Sequence, residues 1–102
     1  MSVVLGPCSP TVCVVHLDGS LRMPVDGALR HRVRAVLGRG QRAIVVDLAR
    51  VPSIDAAGIG ELVRAYNMTI AAEGVLRIVH TSAWVRRLLE SAGLFGLLCD
   101  RP

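Results

Sequence analysis

Between Ala43 and Ala92 the chain alternates twice between a short β-branched run and a longer segment of helical periodicity. Ala43–Leu48 (AIVVDL) and Val75–Val79 (VLRIV) have the length and composition of buried strands, the first a central strand covered on both faces. A helix is predicted over 56–72, where Ile59, Leu62, Val63, Tyr66 and Ile70 form one apolar stripe and Gly74 ends the run. Another is predicted over 83–92, with Val85, Leu88, Leu89 and Ala92 inward, Ser82 as N-cap and Gly93 as C-cap. Strands joined through helices lie parallel, and their crossovers are right-handed.

The first half of the chain adds to that unit. Thr11–Leu17 alternates, with Val12, Val14 and His16 on one face and Cys13, Val15 and Leu17 on the other. Asp18-Gly19-Ser20 reads as a turn and Leu21–Met23 as a returning strand, which makes a hairpin. A helix follows from Val25 to Leu37, with Pro24 at its start, Asp26 near its positive end and Gly38 at its exit. Leu29, Val33, Val36 and Leu37 face inward, leaving Arg30, Arg32 and Arg34 mostly on the wet side. Residues 1–10 read as a loose lead-in or a first edge strand, and Leu97–Asp100 as a last edge strand. The fold class is α/β: a small sandwich with a mixed four- to five-stranded sheet and three to four helices.

A chain of 102 residues forms one domain, residues 1–102, and its 52% hydrophobic content supplies a core without disulfide staples. Cys8, Cys13 and Cys99 cannot all pair, and they read as small hydrophobes in a reducing compartment. Cys13 and His16 face opposite sides of their strand, so Cys8, Cys13 and His16 do not make a metal site. Twelve arginines, no lysine and eight acids give a formal charge of +4. The arginines are spread along the chain, and one Trp, one Tyr and one Phe offer little stacking surface, so no direct nucleic-acid role is expected. Gly6, Pro7 and Pro10 break the uncharged N-terminal stretch, which has no basic start, and no run is long enough to span a membrane. A cytoplasmic protein without membrane insertion is expected.

The chemically informative segment is Ser53-Ile54-Asp55-Ala56-Ala57-Gly58-Ile59-Gly60, where a strand hands over to a helix. Asp55 is placed to cap that helix through the N–H of Ala57 or Gly58. The small residues after it leave the first amides approachable by a partner or an anion, or simply let helix and sheet pack closely. No dinucleotide fingerprint, phosphate loop or nucleophile elbow is present. Asp18, Asp47 and Asp55 read as structural rather than as paired catalytic carboxylates. The expectation is a protein that is not an enzyme and takes no cofactor.

Val45-Val46-Asp47-Leu48, Val51, Ile54-Asp55-Ala56-Ala57-Gly58-Ile59, Val85-Arg86-Arg87-Leu88-Leu89 and Gly93-Leu94-Phe95 resemble the STAS domain. More narrowly they resemble the small bacterial anti-sigma factor antagonists, over Val12 to Leu98 and most densely over Asp47 to Val63. In that family the turn reads Asp-Ser-Ser-Gly, and a partner-switching serine kinase, itself the anti-sigma factor, phosphorylates the second serine. The resemblance puts Ala57 at the phosphoacceptor position and Ala56 beside it, so this gate is lost. Arg22 stands where relatives commonly carry an acid. The resemblance implies a partner surface of Ser20, Arg22, Met23, Ser53, Asp55, Ala56, Ala57, Gly58, Ile59 and Leu62. The implied partner is an anti-sigma factor or switch kinase, with a second copy of the chain as another candidate. Two further readings are a scaffolding subunit of a lipid-transport ATPase or stress-signalling assembly, and a binder of a small anion. Ser53, Ser82 or a redox change at Cys99 would be the places for a replacement switch.

Overall fold

The computed structural model describes residues 1–98. Four strands, β1 (Ser2–Cys8), β2 (Val12–Asp18), β3 (Ala43–Arg50) and β4 (Val75–Val79), form one sheet in the order β1-β2-β3-β4. The helices are α1 (Ala28–Gly38), α2 (Ala56–Ala71), α3 (Ala83–Ser91) and the short α4 (Phe95–Leu98). β1 runs antiparallel to β2, whereas β2, β3 and β4 are mutually parallel, with Cys13, Ile44 and Leu76 in one cross-strand row. The mixed α/β sheet expected from the spacing is therefore present, with four strands.

The period-2 pattern decides where the core lies. Cys13, Val15 and Leu17 of β2, Ile44, Val46 and Leu48 of β3, and Leu76 and Ile78 of β4 are buried on one face. Leu29, Val33 and Val36 of α1, Leu62 and Ala65 of α2, and Val85 and Leu89 of α3 complete the same cluster. Each Val, Leu or Ile among them contributes roughly 1.5–3 kcal/mol by leaving water. The alternate positions, among them Val14, His16, Val45, Asp47, Arg77 and Val79, are only half-buried. β3 is thus fully covered on one face rather than both.

Several local expectations change. The hairpin pairs β1 with β2, not Thr11–Leu17 with Leu21–Met23. Leu21 instead runs parallel beside Ile54, because its N–H bonds Ser53 O and its side chain drops into the core. Residues 1–10 contain a seven-residue edge strand, whose Val3 and Leu5 pack against the core. α1 starts at Ala28 rather than Val25, since the Asp26 carboxylate takes the Ala28 N–H at 3.0 Å and Gly27 turns at φ 78°. Leu97 and Leu98 belong to α4 rather than to a strand; Phe95, which opens that turn, lies under the Arg86 guanidinium at 4.7 Å. Cys99 and Asp100 lie outside the described residues. Cys8 and Cys13, opposite each other in the β1–β2 register, are joined as a disulfide instead of standing as free thiols.

The inward stripe of α2 is also rotated from the expected one. Gly58, Glu61, Leu62, Ala65 and Thr69 are buried, while Ile59, Val63 and Tyr66 are half-buried and Ile70 is exposed. Glu61, 1% exposed, is held by Arg30 Nε of α1 at 3.0 Å and by Arg64 at 3.2 Å. The Thr69 hydroxyl donates to Ala65 O at 2.9 Å, so Glu61 and Thr69 are each satisfied.

Candidate functional site

Because β2, β3 and β4 are parallel, the segments leaving their C-terminal ends emerge along one edge of the sheet. Residues 19–27 leave β2, residues 51–55 leave β3, and residues 80–82 leave β4. The first two are sewn together. Leu21 N donates to Ser53 O at 3.0 Å, Asp55 N donates to Leu21 O at 3.3 Å, and the Ser53 hydroxyl meets that of Ser20 at 2.9 Å.

Asp55 is the knot in this seam. Its backbone is extended, and one carboxylate oxygen takes the Gly58 N–H at 2.9 Å, which caps α2. The other takes the Met23 N–H at 2.9 Å, which fixes the loop from β2 against the helix. The Met23 and Gly58 donors, with a smaller contribution from the Arg22 charge, hold the carboxyl below its ordinary value of 3.8. Capping was readable from the local sequence; the second bond, across 32 residues, was not.

The residues singled out from sequence separate into two groups. Ser20, Arg22 and Ala56 are exposed, Met23 is 74% exposed, and Ser53, Asp55, Ala57 and Ile59 are half-buried, so these eight form one accessible surface. Gly58 and Leu62 do not belong to it. Leu62 is 0% exposed in the core beneath α2. Gly58 is buried because α2 rests on the loop: a Cβ there would overlap Leu21 O and stand 2.7 Å from Ile54 Cγ1. Ala57 and Ala56 carry no hydroxyl, so this surface holds no acceptor for a phosphoryl group at either position.

Sequence reasoning missed one polar cluster on the less covered sheet face. His16 Nδ1 lies 2.8 Å from Asp47 Oδ2, and Asp47 Oδ1 takes the Ala49 N–H at 2.9 Å. Burial pushes the Asp47 carboxyl up, but the Ala49 N–H, His16 and His80 outweigh it and leave the group below 3.8. Gly6 of β1 makes room for the imidazole, since a Cβ there would sit 2.6 Å from His16 Nε2. The alternation that places His16 and Asp47 on the same face of neighbouring strands was the available signal. Asp18, by contrast, only meets the exposed Arg50 at 3.6 Å.

Fold and site together define a small mixed-sheet α/β domain that presents a capped helix start at the C-terminal edge of its parallel strands. A family model described as "Mlab, STAS domain" matches residues 8–99. The chain belongs to the STAS domain family. Among solved structures it is similar to an anti-sigma factor antagonist from Mycobacterium paratuberculosis (TM-score 0.80, 22% identity, covering 99% of this chain and 86% of that one). It is similar also to a putative anti-sigma factor antagonist from Thermotoga maritima (TM-score 0.77, 19% identity, 97% and 86% covered). A third is the Bacillus cell fate determinant SpoIIAA in its phosphorylated form (TM-score 0.71, 19% identity, 99% and 92% covered). Identities this low speak for the fold. Among the described residues no helix is long and apolar enough to cross a membrane.

Proposed function

We propose that the protein is a non-enzymatic docking module that binds an anti-sigma factor or switch kinase of the partner-switching type and thereby frees a sigma factor. The observation that carries this reading is the seam at Asp55. One carboxylate fixes both the β2 loop and the start of α2, and so presents Arg22, Met23, Ala56, Ala57 and Ile59 as a preformed surface. Preformed surfaces bind without first having to order a loop. With Ala56 and Ala57 in place of hydroxyl residues, docking here is ungated, and its extent follows the amounts of the two proteins.

That lack of a hydroxyl also supports a second reading, a constitutive scaffolding subunit of a lipid-transport ATPase or a stress-signalling assembly, which needs no phosphate gate. The anion-binding reading is the weakest, because the Asp55 carboxylate already occupies the Gly58 amide at the helix start.

The test is a titration of wild type and Ala57→Glu against an ATP-binding anti-sigma kinase. A carboxylate at the centre of the contact is expected to weaken binding by roughly ten-fold or more. An unchanged Kd would move the contact elsewhere. Incubation with the same kinase and ATP is expected to label Ala57→Ser but not wild type. Label on Ser53 or Ser82 of the wild type would overturn the ungated reading.

A further inference from the structure

The arginines are spread along the chain, but their excess over acids is not. Residues 27–46 contain Arg30, Arg32, Arg34, Arg39 and Arg42 and no acid, whereas the rest of the chain sets seven arginines against eight acids. α1 and the turn behind it therefore carry the surplus charge of the whole molecule. Arg30 is committed to Glu61, and Arg42 donates to Leu37 O and Gln41 O at the end of the helix. Among the described residues, Arg32, Arg34 and Arg39 form no ion pair with a carboxylate. Of these three, Arg32 joins Val3, Ala28, His31 and Ala35 in lining a shallow groove of about 290 Å³ along the β1 side of α1.

We propose that the outer face of α1 is a second docking surface, and that its occupant is an acidic protein segment whose small apolar side chains enter this groove while its carboxylates meet Arg32, Arg34 and Arg39. Guanidinium forks match carboxylates in pairs, and the apolar floor of Val3, Ala28 and Ala35 suits a peptide better than a sugar-phosphate chain. No Phe, Tyr or Trp lies within residues 27–46 to stack on a base. A bilayer is disfavoured because the exposed positions of α1 are His31, Arg34, Ala35 and Gly38, with no large apolar side chain to enter lipid. This surface is separate from the start of α2 and stands whether or not an anti-sigma factor binds there.

The experiment measures fluorescence anisotropy of a labelled peptide of alternating Glu and Ala, with duplex DNA and phosphatidylglycerol vesicles run in parallel. Arg32→Gln, Arg34→Gln and Arg39→Gln together are expected to weaken peptide binding by roughly ten-fold, reading local charge. Arg50→Gln, Arg86→Gln and Arg87→Gln remove the same charge elsewhere and are expected to change it by less than about two-fold, since exposed charges farther off are screened. Ala57→Glu is expected to leave peptide binding unaltered, and circular dichroism verifies that each variant is folded. Equal losses in the two triple variants would reduce the effect to net charge and overturn the proposal. So would failure of the wild type to bind the peptide, or tighter binding of the duplex or the vesicles through the same three arginines.

Discussion

At Gly58 the backbone of α2 comes so close to the Leu21 carbonyl that even one methyl group has no space. The neighbour is backbone in a hydrogen-bonded seam, which cannot swing aside as a long side chain would. Gly58→Ala is therefore expected to destabilise the fold by about 1–3 kcal/mol, as overpacking of a tight site does, despite alanine's better helix propensity. Denaturant unfolding measures it, and a neutral result would mean that α2 tolerates sliding off the loop. The same position shows what sequence reasoning can and cannot see. Small residues after a capping Asp were legible as either an open surface or a close-packing device. The structure divides them, since Ala56 and Ala57 reach the surface while Gly58 serves packing. Leu62 belongs both to the predicted apolar stripe and to the partner surface that the resemblance implies, and the structure seats it in the core.

Among the elements, β3, α2, β4 and α3 were readable in place and type, since each is set by local periodicity and local caps: Asp55 for α2, and Ser82, which takes the Val85 N–H at 3.1 Å, for α3. The short α4, expected as a strand, was not. Nor was the partner of β2. Leu21-Arg22-Met23 follows a turn sequence, but its backbone bonds run to residues 53–55, more than thirty positions away, and no local signal reports such a pairing. Among the carboxylates that tie elements together across such distances, two are held below their ordinary pKa. Asp47 links β3 to His16 of β2, and Asp55 links α2 to the Met23 loop. Both lie below the ordinary value of 3.8 when folded, so each adds stability above that pH and loses it as pH falls through the lower folded value. The thermal midpoint is expected to stay flat from neutral pH to about 5 and to drop below about 4, where unfolded carboxyls take up protons that the folded ones resist. Melts of wild type against Asp47→Asn with Asp55→Asn test this: the double variant should show a shallower acid decline. An identical decline would assign acid sensitivity to other groups.

For the molecule as a whole, topology matters more than any single contact. Parallel strands collect the segments after β2, β3 and β4 at one end, while the β1–β2 connection at Ser9–Thr11 sits at the other. β1 runs against β2, so its first residues return to the docking end. Met1 shares a small hollow with Ser20, Leu21, Arg22, Pro24, Val25 and Asp26, and its Cα would lie 3.3 Å from a Cβ placed on Gly19. Any polypeptide joined ahead of Met1 would emerge beside Ser20 and Arg22. An affinity handle or fluorescent protein fused there is expected to blunt partner binding, whereas the same cargo inserted at Ser9–Thr11 should leave it intact. Comparing the two fusions by surface plasmon resonance against the same kinase decides it, with equal affinities as the refuting outcome. In practical terms the hairpin tip is the molecule's natural grip, and its first residue is the wrong place to hold it.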